Sequence, residues 1–144
     1  MKKFALIFVS CFLAVSIAGC DDGGSKAEYE GTWNYYYDSS AGRDVATIYD
    51  ETLKITGDSI IRTMAGTYTG NASYTINSVN KSTKQVVAYC DSVGAGDYFD
   101  TNGVSDNTTY YFNYFVDGNT LYIYITPSDT PEDAQAEGKP YIKE

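Results

Sequence analysis

From Tyr29 onward, apolar and aromatic residues return at every second position, and no stretch sustains the spacing of a long helix. In Gly31-Thr32-Trp33-Asn34-Tyr35-Tyr36-Tyr37-Asp38, Trp33, Tyr35 and Tyr37 share one face, while Thr32, Asn34, Tyr36 and Asp38 share the other. Residues 52–56 alternate cleanly and turn Leu53 and Ile55 inward, and Gly57-Asp58 then bends the chain into a strand at 60–64. Further strands are predicted at Thr67-Tyr68-Thr69, at 73–79 and at 85–90, the last two joined by the polar turn Asn80-Lys81-Ser82-Thr83.

The clearest hairpin runs from 109–116 through Asp117-Gly118-Asn119 into 120–126. A two-residue loop, Asp-Gly or Gly-Asn, puts Tyr110, Phe112 and Tyr114 on one face with Leu121, Ile123 and Ile125. The other face then carries Tyr111, Asn113, Tyr122 and Tyr124, and a three-residue loop would exchange the pairing. One short helix is signalled at 130–138, with Thr130 as N-cap, Pro131 in the first helical position, Asp133 as the capping acid and Gly138 at the C-terminus. Tyr141-Ile142 closes the series. Eight or nine short strands joined by short connections predict an all-β antiparallel domain over residues 29–144, an eight-stranded up-and-down barrel with one short C-terminal helix.

Composition bears on whether such a domain can hold a core. With residues 1–19 removed as a signal sequence, Leu, Ile, Val and Phe make up 20 of 125 residues, or 16%. That is below the roughly 20% at which a highly charged chain is suspected of disorder. Fifteen Tyr and fifteen Thr offset this, because both favour strands and a buried Tyr ring needs only one polar partner. Loss of Lys2 and Lys3 moves the formal charge from −9 to −11, which argues against nucleic acid as a partner. The chain has no histidine, which excludes Ser-His and Cys-His catalysis and His-ligated metals.

The N-terminus carries an address. Met1-Lys2-Lys3 precedes an apolar run from Phe4 to Ala18, too short to span a hydrocarbon core of ~30 Å and suited to a secretory signal. Its end, Ile17-Ala18-Gly19-Cys20, resembles the lipobox of bacterial lipoproteins. The resemblance implies cleavage before Cys20, lipid on the Cys20 sulfur and fatty acylation, often palmitate, on the new amine. Residues 20–28 then read as a flexible tether to the membrane. Asp21 beside the lipidated cysteine implies inner-membrane retention by likeness to enterobacterial lipoproteins, and surface export by likeness to other Gram-negative groups. The expected location is the cell envelope, with the leaflet open. Cys90, left without a pairing partner, is expected as an inert buried thiol.

The domain itself resembles the small lipocalin-like (calycin) barrels found among bacterial lipoproteins. Gly31-Thr32-Trp33 matches the Gly-x-Trp that opens the first lipocalin strand, and Gly96-Asp97-Tyr98 echoes the family's Thr-Asp-Tyr with glycine for threonine. The family's late arginine, which packs on that tryptophan, has no counterpart, since no Arg follows Arg62. The resemblance implies a barrel that binds a small hydrophobic or amphipathic ligand. Separately, the sequence has no Gly-x-Ser-x-Gly elbow or phosphate loop. Chance pairs among 19 acids do not make a glycosidase, so no enzyme and no cofactor are expected.

Candidate ligand-binding residues are Trp33, Tyr35, Tyr37, Arg62, Tyr110, Phe112 and Tyr114. Arg62 faces the interior only if the Gly57-Asp58 turn has two residues, and the rarity of buried charge favours the surface. Asp100, Asn102 and Asp106 offer oxygen ligands around a turn, a weak calcium candidate, although Gly- and Asp-rich loops are usually solvated turns and no metal is expected. The second functional reading is a protein- or glycan-binding module that uses exposed Tyr and acidic loops. Lipoprotein inhibitors of lysozyme are barrels of that kind, but their motif is absent from this sequence.

Overall fold

The computed structural model describes residues 26–36 and 49–144, so Cys20 and Tyr37 lie outside the described residues. In chain order these residues form β1 (Gly31–Tyr36), β2 (Tyr49–Ile55), β3 (Ser59–Gly66), β4 (Gly70–Asn80), β5 (Gln85–Val93), α1 (Tyr98–Thr101), β6 (Thr109–Asp117), β7 (Thr120–Thr126), α2 (Ala134–Glu137) and β8 (Lys139–Lys143). Each strand pairs antiparallel with the next, and β8 returns to β1 to close an eight-stranded up-and-down barrel.

The period of two is the reason the barrel has an inside. Trp33, Leu53, Ile60, Tyr74, Ala88, Phe112 and Leu121 alternate inward from their strands and are buried. Tyr74 presents ring edges to Tyr110 and Phe112, with centroids 5.9 and 5.1 Å apart. The outer positions of β2 to β4 include Lys54, Thr63, Asn71 and Thr75, all exposed. A membrane-spanning barrel turns an apolar band outward, which these positions of β2 to β4 do not.

The base of the barrel is formed by the start of β1 and the short turns β2–β3, β4–β5 and β6–β7. The Trp33 indole donates to the Tyr29 carbonyl at 2.9 Å, and the Tyr29 ring covers Tyr114 with centroids 4.8 Å apart, so the base is plugged by aromatic rings. Lys143 Nζ lies over the Trp33 ring, 5.1 Å from its centroid. The opposite end, the mouth, is formed by the longer connections that carry α1 and α2.

Both undecided hairpins resolve to two-residue loops. Asp117 pairs with Thr120, leaving Gly118 at φ +56° as the first loop residue, and Tyr114 pairs with Ile123 on the inner face. Asn113 faces outward but is buried, because its Oδ1 accepts from Gln85 Nε2 at 3.0 Å and from the Glu132 backbone at 3.2 Å.

Four expectations are corrected. Thr67-Tyr68-Thr69 is the connection between β3 and β4, not a strand. The late helix is a single turn whose N-cap is Asp133, which accepts from the Gln135 and Ala136 N–H groups, rather than Thr130. A second one-turn helix, α1, forms where only a loop was expected, because Asp97 caps it by accepting from Phe99 N and Asp100 N. Finally, Arg62 lies inside the barrel at 8% exposure, not on the surface. Its face follows from the β2–β3 turn: Thr56 N donates to the Ser59 carbonyl, Ile55 pairs with Ile60, and Leu53 pairs with Arg62.

Candidate functional site

Glu51 on β2 and Arg62 on β3 are diagonal neighbours on the inner face, since Glu51 pairs with Met64 and Leu53 with Arg62. The Arg62 Nε and Nη2 groups both reach Glu51 Oε1, at 2.8 and 2.7 Å, with Glu51 fully buried. Glu51 Oε2 has no hydrogen-bond partner, and Lys139 Nζ lies 3.6 Å from it. Arg62 Nη1 points to the Tyr74 hydroxyl at a long 3.5 Å, and the guanidinium stacks over Phe99 of α1, 4.5 Å from the ring centroid. The guanidinium is thereby fixed between an acid, a phenol and an aromatic ring.

The electrostatics follow from this packing. Burial opposes the Arg62 charge, but Glu51 and the Tyr74 and Tyr141 phenols outweigh it and raise the pKa, so the guanidinium is permanently charged. Burial pushes the Tyr74 hydroxyl up to about 12, against the opposing pull of Arg62. Burial and then the Glu51 charge raise Tyr141 well above the ordinary phenol value. Cys90 faces the same interior with its Sγ 3.7 Å from the Ser92 carbonyl, and burial raises its thiol pKa, which keeps it in the unreactive form.

Above this group a cavity of about 400 Å³ opens at the mouth. Arg62, Tyr110 and Tyr141 line its inner part, Val104, Ile123 and Ile125 give it an apolar wall, and Lys139 and Glu137 stand among its polar residues. α1 is held beside it by Asp97, whose Oδ2 accepts from Asn71 N at 2.8 Å. These backbone hydrogen bonds hold the Asp97 carboxyl below its usual range despite the opposing effect of burial. Such a cavity can hold one small molecule with a hydrogen-bonding head and an apolar body, at the small end of ordinary ligand sites. A groove of about 490 Å³ lies at the base between the 26–30 segment and the β4–β5 turn, and one of about 210 Å³ lies on the other side of that segment.

The sequence-derived candidates separate into three groups. Arg62 and Tyr110 meet at the mouth cavity, while Trp33 and Phe112 are sealed in the core and Tyr114 belongs to the base plug. Tyr35 is half-buried against Tyr141, with centroids 5.6 Å apart. Tyr37 lies outside the described residues. Glu51, Tyr141, Lys139 and Val104 were not anticipated, although Glu51 shares the parity of Leu53 and Ile55 and was therefore legible as an inward acid. The side chains of the calcium candidate serve their own loop: Asp100 accepts from Gly96 N at 2.8 Å, and Asn102 donates to the Tyr98 carbonyl at 2.7 Å. Among the described residues no three Asp, Glu or Cys side chains converge.

Comparison with models of known protein families, with curated proteins and with solved structures found no match in any of the three.

Proposed function

We propose that this chain is a lipid-anchored, non-enzymatic protein of the Gram-negative cell envelope whose barrel carries one small amphipathic molecule at its mouth. The anchor rests on the lipobox ending at Cys20. The observation that carries the binding function is the cavity of about 400 Å³ with a buried, permanently charged arginine in its wall. Arg62 Nη1 and the Lys139 ammonium suit a hydrogen-bond-accepting head group, and Val104, Ile123 and Ile125 suit a short apolar body. Deeper in the barrel Trp33, Leu53, Phe112 and Leu121 are buried side chains, which favours a guest held at the mouth.

A second reading, docking of a protein or glycan, is favoured by one feature. The outer face of β5 to β7 carries half-buried Tyr89, Tyr111, Tyr122 and Tyr124, with Phe115 against Tyr122 at 6.2 Å. Native mass spectrometry of the protein extracted from its own host separates the two. A stoichiometric small-molecule adduct that disappears in Val104→Trp, a change that fills the cavity, is the expected result. An adduct indifferent to Val104→Trp, or none at all, overturns ligand binding and leaves the aromatic outer face as the functional surface. Intact mass of the same sample reads the acyl chains on Cys20.

A further inference from the structure

The lysines of this acidic protein are not spread evenly. Among the described residues, Lys26, Lys54, Lys81, Lys84 and Lys143 all lie at the base, whereas Lys139 alone stands at the mouth and Arg62 is enclosed. Lys26 lines both basal grooves and links Lys54 on one side to Lys81 and Lys84 on the other. Lys143 stands beside Gly31 and over Trp33. Five acids share the base, of which Glu28 pairs with Lys84 and Glu30 accepts from Ala27 N. The base is thus close to neutral. The two mouth segments, 91–106 and 127–138, carry four acids each and no basic residue.

From this polarity we infer that the base of the barrel is a docking face for the anionic phospholipid headgroups of the membrane that holds the anchor. The inference rests on the reading of Cys20 as lipidated. Cys20 lies six residues before Lys26, and a chain of that length spans at most about 20 Å. The base therefore cannot leave the neighbourhood of the bilayer, and a modest field suffices to bring it down. A negatively charged leaflet attracts lysines within about a Debye length, ~8 Å at physiological salt, and repels the acidic mouth segments. Both effects turn the molecule the same way, with the lysine collar on the surface and the ligand cavity facing away from it. The two grooves beside Lys26 are open to headgroup oxygens.

Trp33, the single tryptophan of the chain, sits at the base and serves as the probe. The full lipidated protein is placed in vesicles of equal parts phosphatidylglycerol and phosphatidylcholine carrying nitroxide headgroups, and in the same vesicles made with phosphatidylcholine alone. Trp33 emission is expected to be quenched at least twofold more with phosphatidylglycerol. The difference should vanish in 1 M salt, where screening shortens to about 3 Å, and in K26Q/K54Q/K81Q, whose three side chains are exposed. Equal quenching in the two lipids, or quenching untouched by the triple substitution, overturns the docking face. Failure of the anchor reading appears separately, as an unacylated intact mass. The same chain coupled through Cys20 to a maleimide lipid then gives the docking readout with the same two outcomes.

Discussion

With Glu51 replaced by glutamine, the Arg62 guanidinium keeps its charge, loses its counter-ion and remains inside the barrel. An unpaired buried charge of this kind costs about 3–5 kcal/mol, whereas an apolar pair of similar volume is often neutral or better. Denaturant unfolding followed through Trp33 should therefore find Glu51→Gln destabilised by that amount and E51L/R62M close to the parent. Equal losses in the two variants would mean that the pair is held by something other than charge. Tyr74 makes a second measurable contribution. Its hydroxyl has a pKa of about 12 in the folded state against 10.0 for a free phenol. Below pH 10 the phenol is neutral in both states and its share of the stability is complete. From pH 10 to about 12 the unfolded chain ionises first, so stability falls as pH rises, by roughly 2–3 kcal/mol in total for this group. Tyr74→Phe should make the decline shallower across that window, by up to one proton's worth of slope in unfolding titrations. An unchanged slope would remove Tyr74 from the account.

Among the strands, β6 and β7 were the most legible, because Asp117-Gly118-Asn119 marks a tight loop and either two-residue form brings the two apolar faces together. The β2–β3 turn was not, since Thr56-Gly57-Asp58-Ser59 suits loops of either parity. In the structure the Thr56 N–H donates to the Ser59 carbonyl at 2.9 Å, which closes the two-residue form, and Thr56 Oγ1 accepts from Ser59 N at 3.0 Å beside it. That two-residue register puts Arg62 on the inner face, and with it half of the candidate site. The short helices were less legible still. α1 exists because Asp97 caps it and Phe99 has a buried place over Arg62, and nothing in the local sequence announces that tertiary partner. Thr67-Tyr68-Thr69 failed in the opposite sense, with strand-forming residues between two glycines that belong to a turn. α2 depends on a close approach instead. A Cβ on Gly138 would strike the Ala134 carbonyl and come within 2.9 Å of the Ile123 backbone. Gly138→Ala should cost about 1–3 kcal/mol through this overpacking. It should also raise amide exchange in 134–141, and exchange confined to other elements would refute the assignment.

The barrel as a whole was predictable from alternation and short connections, because sequential hairpins leave few other ways to bury one face of every strand. Closure was less visible, since β8 is short and alternates little. The seam is correspondingly slight: Trp33 pairs with Lys143 and Asn34 with Ile142, whereas β1 and β2 are paired along the whole of β1. Native-state hydrogen exchange should therefore find the amides of β8 opening at lower free energy than those of β4 and β5, and uniform protection around the barrel would contradict a weak seam. The seam also has a bearing on timing. As the chain emerges from synthesis, β2 to β7 can each pair with the strand just before it. β8 arrives after them all and brings Tyr141, which is buried against Tyr35 and beside Glu51. Until that strand docks, Glu51 and Arg62 look out through a gap onto water, where two opposite charges are well solvated and tolerable. They are shut away from solvent only as that strand docks, and it brings two of the groups that compensate for dehydration, Tyr141 and Lys139.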